Sequence, residues 1–184
     1  MDLPLLAALN CLSIISDPAH PEHYLADFLV SRLEPLCLGH PNKSLLSAFF
    51  FSRANSNKAN TMLNSNEANP ILTLKGNLQS ALSAARSVFN NQLMCLAMSL
   101  MTSALFRNIA GDQSEKSAGT SKVLATRSGS QMWMCVADGM LADTLERRGK
   151  VAEALRQRAD AQSRLTELPP LLMRTCMQTE QPHH

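Results

Sequence analysis

The sequence predicts an all-α fold, an array of helical hairpins stacked side by side. Three observations carry this expectation. The stretch from Ser130 to Leu165 reads as two helices joined at Gly149, each with apolar residues at three-to-four spacing. Small apolar residues recur at a near-constant offset: Ala81 with Val88, then Ala118 with Ala125, then Ala154 with Ala161. Hydrophobic residues make up 45% of the 184-residue chain, yet only 4% is aromatic and ten residues are Met. A core of Leu, Ala and Met suits helix-on-helix packing. A hairpin of this kind cannot bury its apolar face alone, which is the logic of a stacked repeat.

In the Ser130 hairpin, Met134, Met140, Leu141 and Leu145 supply the apolar side of the first helix. Gly149 can take positive φ and close it, and Arg147 and Arg148 sit in the last turn, where the helix dipole favours cations. Val151, Ala154, Leu155, Ala161 and Leu165 continue the apolar side in the second helix. Counted from Gly149, Leu141, Ala142, Leu145, Ala154 and Ala161 fall where the tetratricopeptide (TPR) pattern asks for large, small, large, small and small residues. Arg158 stands where an aromatic is usual, and the closing proline, Pro169, is late. The internal period exceeds the TPR standard, so the expected architecture is a divergent TPR-like array, an α-solenoid. An ordinary helical hairpin would share the same apolar spacing.

The remaining elements follow in order. Residues 2–16 read as an amphipathic helix capped by Asp2, with Pro4 in its first turn and apolar surface from Leu5, Leu6, Leu12, Ile14 and Ile15. Asp17-Pro18 stops it. A second helix spans Glu22 to Leu38, placing Tyr24, Leu25, Phe28, Leu29, Leu33 and Leu36 on one side, with Pro35 kinking or shortening its end. A third, over 43–54, carries Leu45, Leu46, Phe49, Phe50 and Phe51. The Asn- and Ser-rich run 54–69 reads as a flexible connection with room for a short turn of helix at Met62 and Leu63. Pro70 opens a helix over 71–89. The stretch 91–110 is apolar nearly all round, ends at Gly111 and is expected to be central. A more polar helix over 112–126 closes at Ser128-Gly129. The repeat domain is expected over 1–166 and an irregular tail over 167–184.

The formal net charge of +2 supplies no basic stripe for nucleic acid. Five cysteines stand singly with no metal-ligand spacing, which fits reduced thiols inside a cell. The apolar N-terminal run lacks a positive leader and is broken by Asn10, so no signal peptide is expected. No stretch reaches the roughly 18 apolar residues that a membrane span needs.

Several segments together resemble a known family. They are Leu33-Glu34-Pro35-Leu36-Cys37 with His40-Pro41-Asn42-Lys43, Leu78 to Ala85, and the turn from Gly111 to Ala118. Most specific is Gln131-Met132-Trp133 through Ala137 to Leu145, followed by Gly149 and Glu153-Ala154. This resembles the cohesin-loading-factor family, the TPR subunit of the cohesin loader, in its fungal branch. The similarity covers about 1–166 and corresponds to the C-terminal portion of a longer family protein, so the missing N-terminal repeats are its main departure. The resemblance implies a TPR superhelix embracing an extended segment of the large HEAT-repeat subunit of the loader. It implies indirect contact with cohesin and chromatin, a nuclear location, a part in sister chromatid cohesion, and no catalytic residues, cofactor or small-molecule substrate.

No other chemistry competes. Gly119-Thr120-Ser121-Lys122 has the wrong glycine spacing and residue order for a phosphate loop. His20-Pro21-Glu22-His23 is interrupted by proline and is not a zinc motif. A helical enzyme domain would need a convergent polar pocket, for which no residues stand out. Candidate partner contacts are Trp133, as an aromatic anchor, and the adaptable Met set including Met101. Core packing is the plainer role for both. Asp143 and Glu146 lie away from Leu141 and Leu145; if the first helix of the pair lines a concave face, they face a bound peptide. The arginines of the hairpin alternate with acids, which favours a solvated helix over a DNA footprint. The expected function is a non-catalytic interaction scaffold; a generic TPR scaffold with another peptide ligand is the alternative.

Overall fold

The structure, a computed structural model, describes residues 2–17, 19–63, 70–106 and 111–169. All regular elements among them are helical: α1 (Asp2–Ile15), α2 (Ala26–Leu38), α3 (Lys43–Leu63), α4 (Pro70–Ser87), α5 (Asn91–Met101), α6 (Asp112–Ser128), α7 (Gln131–Arg147) and α8 (Val151–Glu167). A 3-10 turn at His23–Leu25 leads into α2, and a π-helical segment, Thr102–Phe106, follows α5. The chain divides into two compact units, Met1–Leu93 and Met94–His184.

In the first unit α3 packs against α1, α2 and α4. Its core joins Leu5, Leu9 and Leu12 of α1, Ala26, Val30 and Cys37 of α2, and Leu45 and Phe49 of α3. Buried hydroxyls add direction to this contact: Ser47 Oγ donates to the Ala81 carbonyl of α4 at 2.9 Å. Three expectations change here. The helix from Lys43 does not stop at 54 but runs to Leu63, so the Asn- and Ser-rich run is helical that far. Buried Ala54 and Ser56 hold it, with Ser56 Oγ donating to Asp27 at 2.7 Å, and such tertiary contacts override weak helix propensity. The rest of that expected connection, 64–69, lies outside the described residues.

Second, α2 buries a different side from the one its large residues suggest. Ala26, Val30 and Cys37 are buried and Leu29 and Leu33 half-buried, whereas Tyr24, Phe28 and Leu36 are exposed. The apolar residues wrap too far round α2 for α1 and α3 to cover them all. Third, α2 begins at Ala26 rather than Glu22, and Pro35 does not shorten it, since it reaches the expected Leu38. Pro35 lies on the exposed side, where the Ser31 carbonyl that loses its partner can reach water.

In the second unit α7 packs against α6 and against α8. The recurring alanines sit at these contacts: Ala118, Ala125, Ala142, Ala154 and Ala161 are all buried. In the first unit Ala81 is buried too, while Val88 is partly exposed and drops out of the pattern. The apolar stretch from Asn91 is not one α-helix to Gly111. It turns π-helical at Thr102, whose Oγ1 donates back to the Met98 carbonyl at 2.8 Å and meets Ser117 Oγ of α6 at 2.9 Å. It buries Met94, Cys95, Ala97 and Met98, while Leu93, Leu96, Leu100 and Met101 stay half-buried. Gly129 and Gly149 take φ of +68° and +75° and close α6 and α7. Leu168 is buried beside Cys135, Ala161 and Leu165, and the tail from Pro170 lies outside the described residues.

Candidate functional site

The helices α6, α7 and α8 carry the candidate partner residues, and local sequence fixes their ends. Ser130 caps α7, its Oγ accepting from the Trp133 backbone N–H at 3.5 Å. At the other end Lys150 N–H donates to the Leu145 carbonyl and Gly149 N–H to that of Glu146, both at 2.9 Å. This is a Schellman turn, and it needs the left-handed backbone that glycine adopts freely. It turns the chain directly into α8.

Charge then sets the register of the three helices. Asp138, in the middle of α7, is 1% exposed. Lys122 Nζ of α6 lies 2.8 Å from its Oδ1, and Arg164 Nε of α8 donates to its Oδ2 at 2.9 Å. One buried carboxylate thus joins both neighbouring helices. Lys122 also donates to Gln157 of α8, and Arg164 to Gln131 at 3.1 Å. Glu115 makes a second junction nearer the turn. It accepts from Lys150 at 2.9 and 3.0 Å and pairs with Arg148, which also donates to Asp112 at 2.7 Å. The Lys150 hydrogen bond, with Arg148 beside it, holds the Glu115 carboxyl below the usual range. Burial pushes the Cys95 thiol up, so it stays protonated and packs as a small apolar group.

The four residues named from sequence do not form one cluster. Trp133 is half-buried and packs with Leu124 and Met134 against Cys95, Ala125 and Ala137. Asp143 and Glu146 lie roughly 15–20 Å further along α7 at 1.5 Å per residue. They point to α8 instead, where Arg158 donates to Asp143 at 3.2 Å and pairs with Glu146. Both acids are about half exposed. Met101 is half-buried at the end of α5, just before the π-helical segment. Beside Arg158, the small residues Gly139 and Ala161 leave a recess of about 230 Å³ that Asp143 and Gln162 also line.

Sequence reasoning missed Asp138, Lys122 and Arg164. The signal was available: Asp138 falls in register with Cys135, Ala142 and Leu145, a lone acid on the packing face. Other motifs resolve as scaffold. Gly119 to Lys122 lies inside α6. His20 Nδ1 accepts from the Glu22 N–H at 3.2 Å, making a turn of the histidine pair. Among the described residues no group of three or more His, Cys, Asp or Glu could hold a metal ion, and no helix is long and apolar enough to cross a membrane.

The family model of the cohesin loading factor matches residues 1–152, from α1 into the first turn of α8. The chain belongs to the cohesin loading factor family. Membership gives it a role in cohesin loading, within a family of non-catalytic scaffolds that acts on chromosomes. The segments whose residues resemble the family are structural ones here. Leu78, Ala81 and Ala85 are buried in α4, and Gln131 to Leu145 is the helix that Asp138 ties to both neighbours. No curated protein and no solved structure matches the chain.

Proposed function

We propose that this chain is an interaction scaffold of the cohesin loader, built as a TPR-like stack of helical hairpins. It binds the large HEAT-repeat subunit, supports cohesin loading and sister chromatid cohesion in the nucleus, and catalyses nothing itself. The family match over 1–152 carries this reading. The closely packed small residues of α6, α7 and α8 support the stacked arrangement, since alanines at helix contacts let hairpins approach at a repeating distance. The partner segment lies along the α7 and α8 surface, with Asp143 and Glu146 at the contact, Trp133 as an anchor and Met101 as an adaptable flank. Because Arg158 holds both acids, binding exchanges that exposed pairing for a basic group on the partner.

The test is titration of the N-terminal segment of the large subunit into this chain. Saturable binding that weakens about tenfold in the Asp143→Lys, Glu146→Lys double variant is expected, a change of one contact pair. Binding untouched by that variant removes these residues from the site. A folded, helical chain that binds no part of the subunit overturns the reading.

A further inference from the structure

The first unit carries a surface that the loader reading does not use. The outer side of α2 shows Tyr24, Phe28, Arg32, Pro35 and Leu36, all exposed, with Tyr24 70%, Phe28 55% and Leu36 58% exposed. Tyr24, Phe28, Arg32 and Leu36 follow one another at four-residue intervals, so they form a single ridge along the helix and the turn before it. Such a ridge spans about 18 Å at 1.5 Å per residue. Ridges of this type are the ones helices use to pack into each other's grooves. Two aromatics, an arginine and a leucine are also an anchor-rich composition for a binding surface.

The charges of α2 are sorted by side. Its two carboxylates are committed to α3: Asp27 accepts from Ser56, and Glu34 pairs with Arg53. Its one cation, Arg32, faces outward and stacks with its guanidinium carbon 5.2 Å from the centre of the Phe28 ring. Among the described residues no carboxylate pairs with Arg32. Stacking holds the guanidinium plane but uses none of its N–H donors, which match a carboxylate in bidentate fashion. The face is therefore apolar with one oriented, unneutralised cation near its middle.

We propose that the outer face of α2 docks a helical segment of a partner protein that presents large apolar residues around a central carboxylate. Arg32 selects the carboxylate, and Tyr24, Phe28 and Leu36 supply the buried contact. This inference stands apart from binding of the large loader subunit through α7 and α8, and either can fail alone.

The test uses the full chain and a pair of designed, fluorescein-labelled helical peptides. Both carry leucines along one face; one has Glu at the centre of that face and the other Lys. Anisotropy titration is expected to show saturable binding of the Glu peptide, about tenfold or more tighter than the Lys peptide. Phe28→Ala is expected to weaken the Glu peptide about tenfold, and Arg32→Glu to reverse the preference between the two. Both positions are exposed, so circular dichroism should find these variants folded. Absent binding, equal binding of the two peptides, or a preference that survives Arg32→Glu would overturn the proposal. Sedimentation showing a dimer that Phe28→Asp dissolves would also overturn it, because the face would then belong to a second copy.

Discussion

The two units solve the same packing problem with different chemistry. The first packs large apolar side chains: Leu9, Leu12, Phe49 and Leu78 are almost wholly buried. In the second, Asp138 is almost wholly buried, and its helices meet largely through alanines and serines, with Met98, Leu145 and Leu165 buried beside them. Small residues let helices approach closely but specify little about how far one slides along the next. The contrast teaches where register comes from. In the first unit it comes chiefly from the shapes of leucines and phenylalanine, and in the second chiefly from two carboxylates, Asp138 between Lys122 and Arg164 and Glu115 with Arg148 and Lys150. A buried ion cluster adds little net stability over an apolar replacement, but losing one member leaves charge without a partner.

The largest expected effect tests that contrast directly. Asp138→Ala should destabilise the second unit by about 3 kcal/mol, from the lost charged hydrogen bonds to Lys122 and Arg164 and the cavity left in the helix contact. Trp133 is the chain's one tryptophan and lies in this unit, so its fluorescence during urea unfolding reports the loss. Phe49→Ala should cost a similar amount, about 3–5 kcal/mol, but show chiefly in the far-ultraviolet helix signal. If Phe49→Ala moves the Trp133 transition as far as Asp138→Ala does, the two units do not unfold separately and the comparison breaks.

The turns differ in the same way, with smaller effects. In the second unit glycine closes α7, and Gly149→Ala should cost about 1–2 kcal/mol because alanine must enter the left-handed region. In the first unit the corresponding turn after α4 uses Phe89, at φ +52° and 86% exposed, with Asn90 N–H donating to Ala85 at 3.0 Å. Phe89→Gly should therefore stabilise, by up to about 1 kcal/mol, since backbone strain is relieved and little contact is lost. Thermal unfolding of both variants checks the opposite signs.

The smallest effect is in acid. Glu115 is held below its ordinary value, so its contribution is present above that value, near pH 4.5, and fades as pH falls through the lower folded value. Glu115→Gln should flatten that part of the stability profile of the second unit. Asp2, held low by the Asn42 amide and by His40, acts with the same sign in the first unit and should keep its slope in this variant. An unchanged acid limb in the Trp133 signal would remove Glu115 from the account.

How much was legible in the sequence follows from the same physics. The second unit's hairpin could be read almost to the residue, because Ser130, Gly129 and Gly149 act locally as cap and turns. The side that α2 buries could not, because Tyr24, Phe28 and Leu36 look like core residues and only the placement of α1 and α3 leaves them outside. The helix past Ala54 was hidden because its support, Ser56 with Asp27, spans distant positions. Asp143 and Glu146 were readable as an exposed pair. Arg158, which joins them, stood where an aromatic was expected and so looked like a flaw in the pattern. Asp138 was visible as an acid on a packing face, but its two cations lie on other helices and only the fold brings them together.

The most direct test of the central claim is hydrogen–deuterium exchange of this chain with and without the N-terminal segment of the large loader subunit. New protection concentrated over 131–167, on α7 and α8, is the expected result. Protection confined to α1 and α2, or none at all in a folded chain at saturating segment, would contradict it.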